Sequence, residues 1–412
     1  MARWAKVLAG NPINQRLGRG GTNPLLSPDI EAICFCQPNH SKTMTPEKSQ
    51  TAQFVDILSS LVFNGGQGGR SGDPTAADRG LQYASGLSGE ELSEFLQLAD
   101  ANHVAVRALQ VLQGAASAVP GHEPLVSWCE ASLTQERSRI SHAVERLAPV
   151  YAALEAAGAE VAVIKSLDHW PDLGSDLDLY TSGDESTVQR VMTRQFQATQ
   201  EPRSWGDRLA NKWNFKLPGL PELIEVHVRY LGQTGEQKAL ARRVLERSVT
   251  RTVGGYNFRV PAPEERVIIS TLQRIYRHLY FRLCDMADFA ALLNDHAIDF
   301  LELRRGAQLG GIWPGVATFL LLIGEYVNSY GCPVQIPSQV LSAAPSRGVR
   351  VYLGGKFLRV PKGPAAGLYG SQLLSAGRHA DIRAMFRLPL LPPLAISALV
   401  AYRLTGNDKG VW

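Results

Sequence analysis

Cysteine is scarce: five in 412 residues, an odd count without framework spacing, which excludes a disulfide-built scaffold and points to a reducing compartment. Cys34 and Cys36 form an isolated C-x-C, and no second Cys/His pair stands at zinc spacing. Long apolar runs are lacking too. The longest, Leu388 to Tyr402, is 15 residues, contains Pro389, Pro392 and Pro393, and falls short of the about 20 residues a spanning helix needs. The opening MARWAKVLAG leads into no apolar h-region or small-residue cleavage site, so neither signal peptide nor transmembrane span is expected, and the reading is a soluble, cytoplasmic protein. Charge is sparse at 19%, with a net +4 that does not by itself imply nucleic acid. No solenoid or propeller repeat is present. What the chain has is 45% hydrophobic residues, ample for a core and too many for wholesale disorder.

The pattern divides the chain at about 1–75, 76–158, 159–262, 263–340 and 341–412. The first segment reads as a flexible arm rich in Gly, Pro, Asn, Ser and Gln, with one apolar piece, Phe54 to Phe63, suited to a docking helix. Its Gly65–Gly72 stretch lacks the G-K-[ST] ending of a phosphate loop and reads as linker. Residues 76–158 are helical: Ser88-Gly89-Glu90-Glu91 offers a capping box, a helix covers His103 to Gly114, and a long one runs from about Ala131 to Ala157, stopped by Gly158. Strand patterns follow at Val161–Ile164, Asp176–Tyr180, Lys212–Leu217, Leu223–Tyr230 and Tyr256–Val260, with helices at about Glu185–Gln197 and Glu236–Glu246. Beyond Pro261 the chain is helical to about Tyr330. The expected fold class is α+β, a small mixed sheet flanked by N-terminal and C-terminal helical segments. The tail from 342 carries ten Lys/Arg against two acidic residues.

The acidic residues carry the chemistry. On a strand, alternation sends Asp176 and Asp178 to one face and Leu177 and Leu179 to the other. Two carboxylates that close repel unless a cation lies between them, and Mg²⁺ suits one or two carboxylates plus phosphate oxygens. In Leu223-Ile224-Glu225-Val226-His227-Val228-Arg229 the same alternation puts Glu225, His227 and Arg229 on one face. A neighbouring strand of the same orientation would bring Glu225 beside Asp178, and three carboxylates on adjacent strands can hold two cations for in-line displacement at phosphorus. Upstream, Ile164-Lys165-Ser166 ends a strand where small residues and free N–H groups can approach phosphates.

VIKSLDHWPDLGSDLDLY followed by LIEVHVR resembles the DNA polymerase β-like nucleotidyltransferase superfamily, and more narrowly the uncharacterised bacterial nucleotidyltransferase family. The resemblance covers about residues 90–330 and extends to Ala101-Asn102-His103-Val104 and to the run from Pro263 through His278, Asp285 and Asp288. It implies a metal-dependent transfer of NMP from ATP or another NTP to a hydroxyl acceptor, with release of pyrophosphate. Asp176, Asp178 and Glu225 are the implied ligands of two Mg²⁺ ions, with Mn²⁺ as the alternative, and Ser166, Gly174 and Ser175 lie near phosphates. The family's Lys-Gly stands here as Lys165-Ser166, ten residues before Asp176, so Ser166 and Gly174-Ser175 are alternative triphosphate contacts. The acceptor, whether small molecule, peptide, protein or RNA, is not implied.

Further candidates surround this set. His227 suits a catalytic base or a hydrogen-bonding support, and Lys165, Lys212 and Lys216 suit phosphate contact. A single helix from about Glu264 to Leu293 would place Arg274, His278, Arg282 and Asp285 together, as a solvated face or, through Arg282 or His278, as a nucleotide contact. The basic tail fits a packed extension better than an RNA or anionic-surface site. Two rivals remain: a D-x-D glycosyltransferase using a nucleotide sugar, which needs a preceding βαβ region where this chain reads helical, and a non-catalytic nucleotide-binding or interaction protein.

Overall fold

Helix starts are written into the sequence as reciprocal caps. Thr75 accepts from the N–H of Asp78 and Ser88 from that of Glu91, while each of those carboxylates bonds back to the cap residue's N–H. The computed structural model describes residues 49–64, 75–345 and 349–405; Cys34, Cys36 and Gly65–Gly72 lie outside the described residues. Ahead of the sheet stand α1 (Gln50–Asn64), α2 (Ala76–Ser85), α3 (Gly89–Ala101), α4 (Ala105–Ser117) and the long α5 (Glu123–Ala156). Helix α5 ends where Gly158, at φ +81°, sends its N–H to the Glu155 carbonyl and lets Ala159 reach that of Leu154. The apolar piece expected to dock does so as α1: Phe54, Val55, Leu58 and Leu61 are buried, and Phe54 meets Phe95 of α3 edge-on at 5.4 Å.

Five strands form the central sheet: β1 (Val161–Val163), β2 (Asp176–Thr181), β3 (Thr199–Gln200), β4 (Lys212–Lys216) and β5 (Leu223–Val228), in the order β1-β2-β5-β4-β3. Only β2 and β5 run parallel; their neighbours are antiparallel. Between β2 and β3 lies α6 (Glu185–Arg190), which passes into a π turn, and α7 (Trp205–Ala210) leads into β4. Leu177, Leu179, Phe215, Ile224, Val226 and Val228 are fully buried on one face, so the alternation that builds this core turns the polar partners to the other. After α8 (Lys238–Glu246), the hairpin β6 (Ser248–Val253) and β7 (Tyr256–Pro261) turns through Gly254 and Gly255, both at positive φ. Strand β6 has almost no buried residue, so it carries no apolar alternation to announce it.

The single helix expected over Glu264–Leu293 is two. Helix α9 (Pro263–Gln273) passes into a π turn at Arg274–His278, Leu279 takes a left-handed φ of +55°, and α10 (Leu283–Asn294) begins afresh. The cause is tertiary. Tyr280 and Phe281 (β8) pair with the later strand β10 (Phe357–Arg359), which also pairs with β9 (Tyr352–Gly354). Helices α11 (Phe300–Leu309) and α12 (Trp313–Asn328) complete this lobe, and the short α13 (Ser338–Leu341) leads to β9. The basic tail forms α14 (Lys362–Arg378), α15 (Ile382–Arg387) and α16 (Leu391–Thr405). Arg383 and Arg387 donate to the carbonyls of Gly235, Leu209 and Thr234, while Ile382, Phe386, Ile396 and Leu404 stand exposed. Among the described residues no helix is long and apolar enough to cross a membrane.

Candidate active site

Parallel pairing of β2 with β5 sets Asp178 opposite Glu225, and antiparallel pairing of β5 with β4 sets Asn214 opposite Glu225 and Lys212 opposite His227. Period-two alternation therefore gathers Asp176, Asp178, Glu225, His227, Lys212 and Asn214 on the face away from the apolar layer. Glu225 is the hub. Its Oε1 accepts from His227 Nε2 at 2.7 Å and its Oε2 pairs with Lys212 Nζ at 2.8 Å; Lys212 also reaches Asp207 at 3.1 Å. Asp178, Glu225 and His227 offer ligand atoms within 4.8 Å of one another; Asp176 stands at the rim.

The segment after β1 is bent to meet these acids. Ser166 donates its N–H to the Ile164 carbonyl at 2.6 Å, closing a three-residue turn around Lys165 at φ +62°, ψ −60°. That conformation costs a non-glycine residue about 1–3 kcal/mol. It delivers the Lys165 ammonium into the acid group, paired with Asp178 and 3.6 Å from Glu225. The Ser166 hydroxyl faces β2: it accepts from the Asp178 N–H at 2.7 Å and lies 3.0 Å from the Asp176 carbonyl. Arg139 of α5 braces the strand entrances, donating to the Leu173 carbonyl at 2.8 Å and pairing with buried Glu222 just before β5.

Opposite the acids, the broken helix supplies a basic wall. Arg274 is buried and paired with buried Asp285 at 2.8 Å, which corrects the solvated-face reading of this pair. Arg277, His278, Tyr280 and Arg282 complete the wall of a cavity of about 320 Å³. Among the described residues, Arg277 Nε and Arg282 Nε are buried there without a hydrogen-bond partner. Burial, and then Arg277, Arg274 and Arg282, hold the His278 imidazole well below its ordinary range.

The acids respond to the same fields. Crowding by protein atoms, then the charges of Glu225 and Asp178, push the Asp176 carboxyl up to about 6. Burial works against the Glu225 carboxylate too, yet Lys212, Lys165 and the His227 bond hold it well below its usual value. Lys212 is lifted above the ordinary lysine range by Glu225 and Asp207, against the cost of its burial.

Of the residues singled out in the sequence, Lys165, Ser166, Gly174, Ser175, Asp176, Asp178, Lys212, Glu225, His278 and Arg282 line this one cavity. His227 lies behind them, in a small adjoining cavity shared with Lys165 and Arg277. Gly174 faces the His103 ring, where a Cβ would come within 2.6 Å of Cε1, and Ser175 Oγ is 3.5 Å from Asp176 Oδ2. Lys216 points to solvent at the far end of β4. Sequence reasoning missed Asp207, Asn214, Arg277 and Arg139. Asp207 had a signal, since it closes the capping box begun by Ser204; Arg139, inside a long helix, had none. No curated protein matches the chain. Residues 88–328, more than half of its length, match the family described as an uncharacterised nucleotidyltransferase, and the chain belongs to that family.

Proposed function

We propose that the chain transfers a nucleotidyl group from an NTP to a hydroxyl acceptor and releases pyrophosphate. The observation that carries this reading is the cavity's polarity: carboxylates on the sheet face oppose buried, unpartnered N–H groups of Arg277 and Arg282. A buried guanidinium N–H without a partner calls for an acceptor, and a triphosphate supplies anionic oxygens for it.

The donor set fits a hard dication. Asp176, Asp178 and Glu225 offer carboxylate oxygens on one face, and the Lys165 ammonium paired among them is consistent with a position that attracts positive charge. Mg²⁺, or Mn²⁺, held by these acids would neutralise phosphate charge and activate the acceptor hydroxyl. The chain's own groups do the rest. Arg277 and Arg282 bind and orient the polyphosphate, and Lys212 and His227 fix the Glu225 carboxylate through both of its oxygens. The acceptor oxygen forms its bond to the α-phosphorus as the bond from that phosphorus to the β-phosphate oxygen breaks.

The test is transfer from α-labelled versus γ-labelled NTP with Mg²⁺ and a cell extract, comparing wild type with Asp178→Asn. Retention of α-label on an acceptor, lost in the variant, is the expected result. Transfer of γ-label would make the protein a phosphotransferase instead, and full activity in Asp178→Asn would remove the site assignment.

A further inference from the structure

Three segments distant in sequence bring a second, chemically different ligand set to the edge of the cavity. His103 follows α3, His169 lies in the 3₁₀ turn after β1, and Cys284 opens α10; all are buried. Their donor atoms lie within 4.8 Å of one another, with Cys284 Sγ 3.8 Å from His169 Nε2. A tetrahedral zinc with ordinary Zn–S and Zn–N bonds holds its ligand atoms about 3.4–3.6 Å apart, so side-chain adjustments alone close the gap.

We infer that His103, His169 and Cys284 bind a zinc ion, separate from the carboxylate site. The surrounding bonds are those such a centre requires. His169 Nδ1 is 2.5 Å from Asp288 Oδ2, which leaves Nε2 for a metal, and Arg107 fixes that carboxylate at 2.7 Å. His103 Nδ1 is buried with no hydrogen-bond partner among the described residues, in a residue only 9% exposed. The His103 ring occupies space left by Gly174, and its backbone sits at φ +52°, a strained position for histidine. The Asn102 carbonyl accepts from the Cys284 N–H at 3.2 Å and Asn102 Oδ1 from Leu283 N–H at 3.2 Å, tying two of the ligand segments together.

One sulfur and two imidazoles form a soft donor set that selects zinc over magnesium. Binding expels the protons now held among these groups and deprotonates the thiol. The ion would clamp the C-terminal lobe to the segment carrying Lys165 and Ser166. Because His103 and His169 line the cavity, a fourth position is open to water or to an anionic substrate group.

The experiment uses the purified full chain stripped with a chelator, then titrated with Co²⁺ as a spectroscopic probe for zinc. The expected result is a thiolate-to-cobalt charge-transfer band that saturates at one Co²⁺ per chain, is displaced by Zn²⁺ and is absent in Cys284→Ser. His103→Gln should weaken binding at least tenfold, and Asp178→Asn should leave the band in place. Absence of the band in the wild type, or its persistence in Cys284→Ser, overturns the inference. If Cys284→Ser does not fold, His103→Gln decides: unchanged Co²⁺ affinity there rejects the site. This result is independent of label transfer, so the two readings fail separately.

Discussion

Replacing Ser166 by glycine, the residue in the motif that this segment resembles, separates two roles for the position. In the structure the hydroxyl is committed to β2, accepting from the Asp178 N–H at 2.7 Å and facing the Asp176 carbonyl at 3.0 Å. Ser166 is 4% exposed, so its loss leaves a buried donor without its partner, at a cost of about 1–3 kcal/mol. Glycine adds about 0.5–1 kcal/mol through the freedom it gains when unfolded. The total of about 2–4 kcal/mol corresponds to a fall in Tm of about 4–8 °C for a large cooperative unit. Turnover should fall at least tenfold, because Asp178 loses the bond that fixes its backbone. Nucleotide affinity, titrated in chelator so that only the chain's own groups contribute, should stay within about twofold. Ser166→Ala should behave alike, with a smaller loss of stability. Unchanged Tm with a tenfold loss of nucleotide affinity would refute the argument and make Ser166 the triphosphate contact, leaving Gly174-Ser175 without that role.

Three further outcomes follow from buried groups. Arg274→Met should lower unfolding free energy in denaturant by about 3–5 kcal/mol, because it strands the buried Asp285 carboxylate. The double variant Arg274→Met/Asp285→Leu should recover most of that loss, and a double variant as unstable as the single would show that the pair is not the cause. Arg139→Ala should cost about 2–3 kcal/mol and slow turnover, since Glu222 is left buried without its charge partner and the loop before Asp176 loses its brace; thermal melts and α-label transfer read both, with partial rescue by Arg139→Lys. Burial pushes the Cys129 thiol up to about 12, so a disulfide reagent should modify it only on unfolding, as followed by peptide mass mapping; rapid modification of the native protein would contradict its packing.

The acid side of the cavity was legible in the sequence because it is built from short-range order. Asp176-Leu177-Asp178 and Glu225-Val226-His227 each announce their face by a period of two, and a parallel neighbour was all that remained to be supplied. The basic side was not legible. Ile275, Leu279, Leu283 and Met286 keep helical spacing straight through the point where the chain breaks. A periodicity reports which residues seek the core, and these do reach it. It is blind to Tyr280 and Phe281 pairing with Phe357–Arg359, which converts one helix into a corner and turns Arg277 and Arg282 inward. The zinc ligands illustrate the same limit more sharply, since His169 and Cys284 stand 115 residues apart and have no spacing to read. What the sequence did hold was the charge itself. Arginines in a chain with few charges are expected at the surface, where water satisfies every N–H. Arg274 offsets part of that cost through its pair with Asp285, and Lys165 and Lys212 offset theirs through the acids. Arg277 and Arg282 keep buried Nε–H groups without partners among the described residues, a desolvation cost that an incoming anion would offset. Under the proposed function, these two arginines, rather than the exposed lysines of the tail, are the place where nucleotide binding should be lost first on mutation.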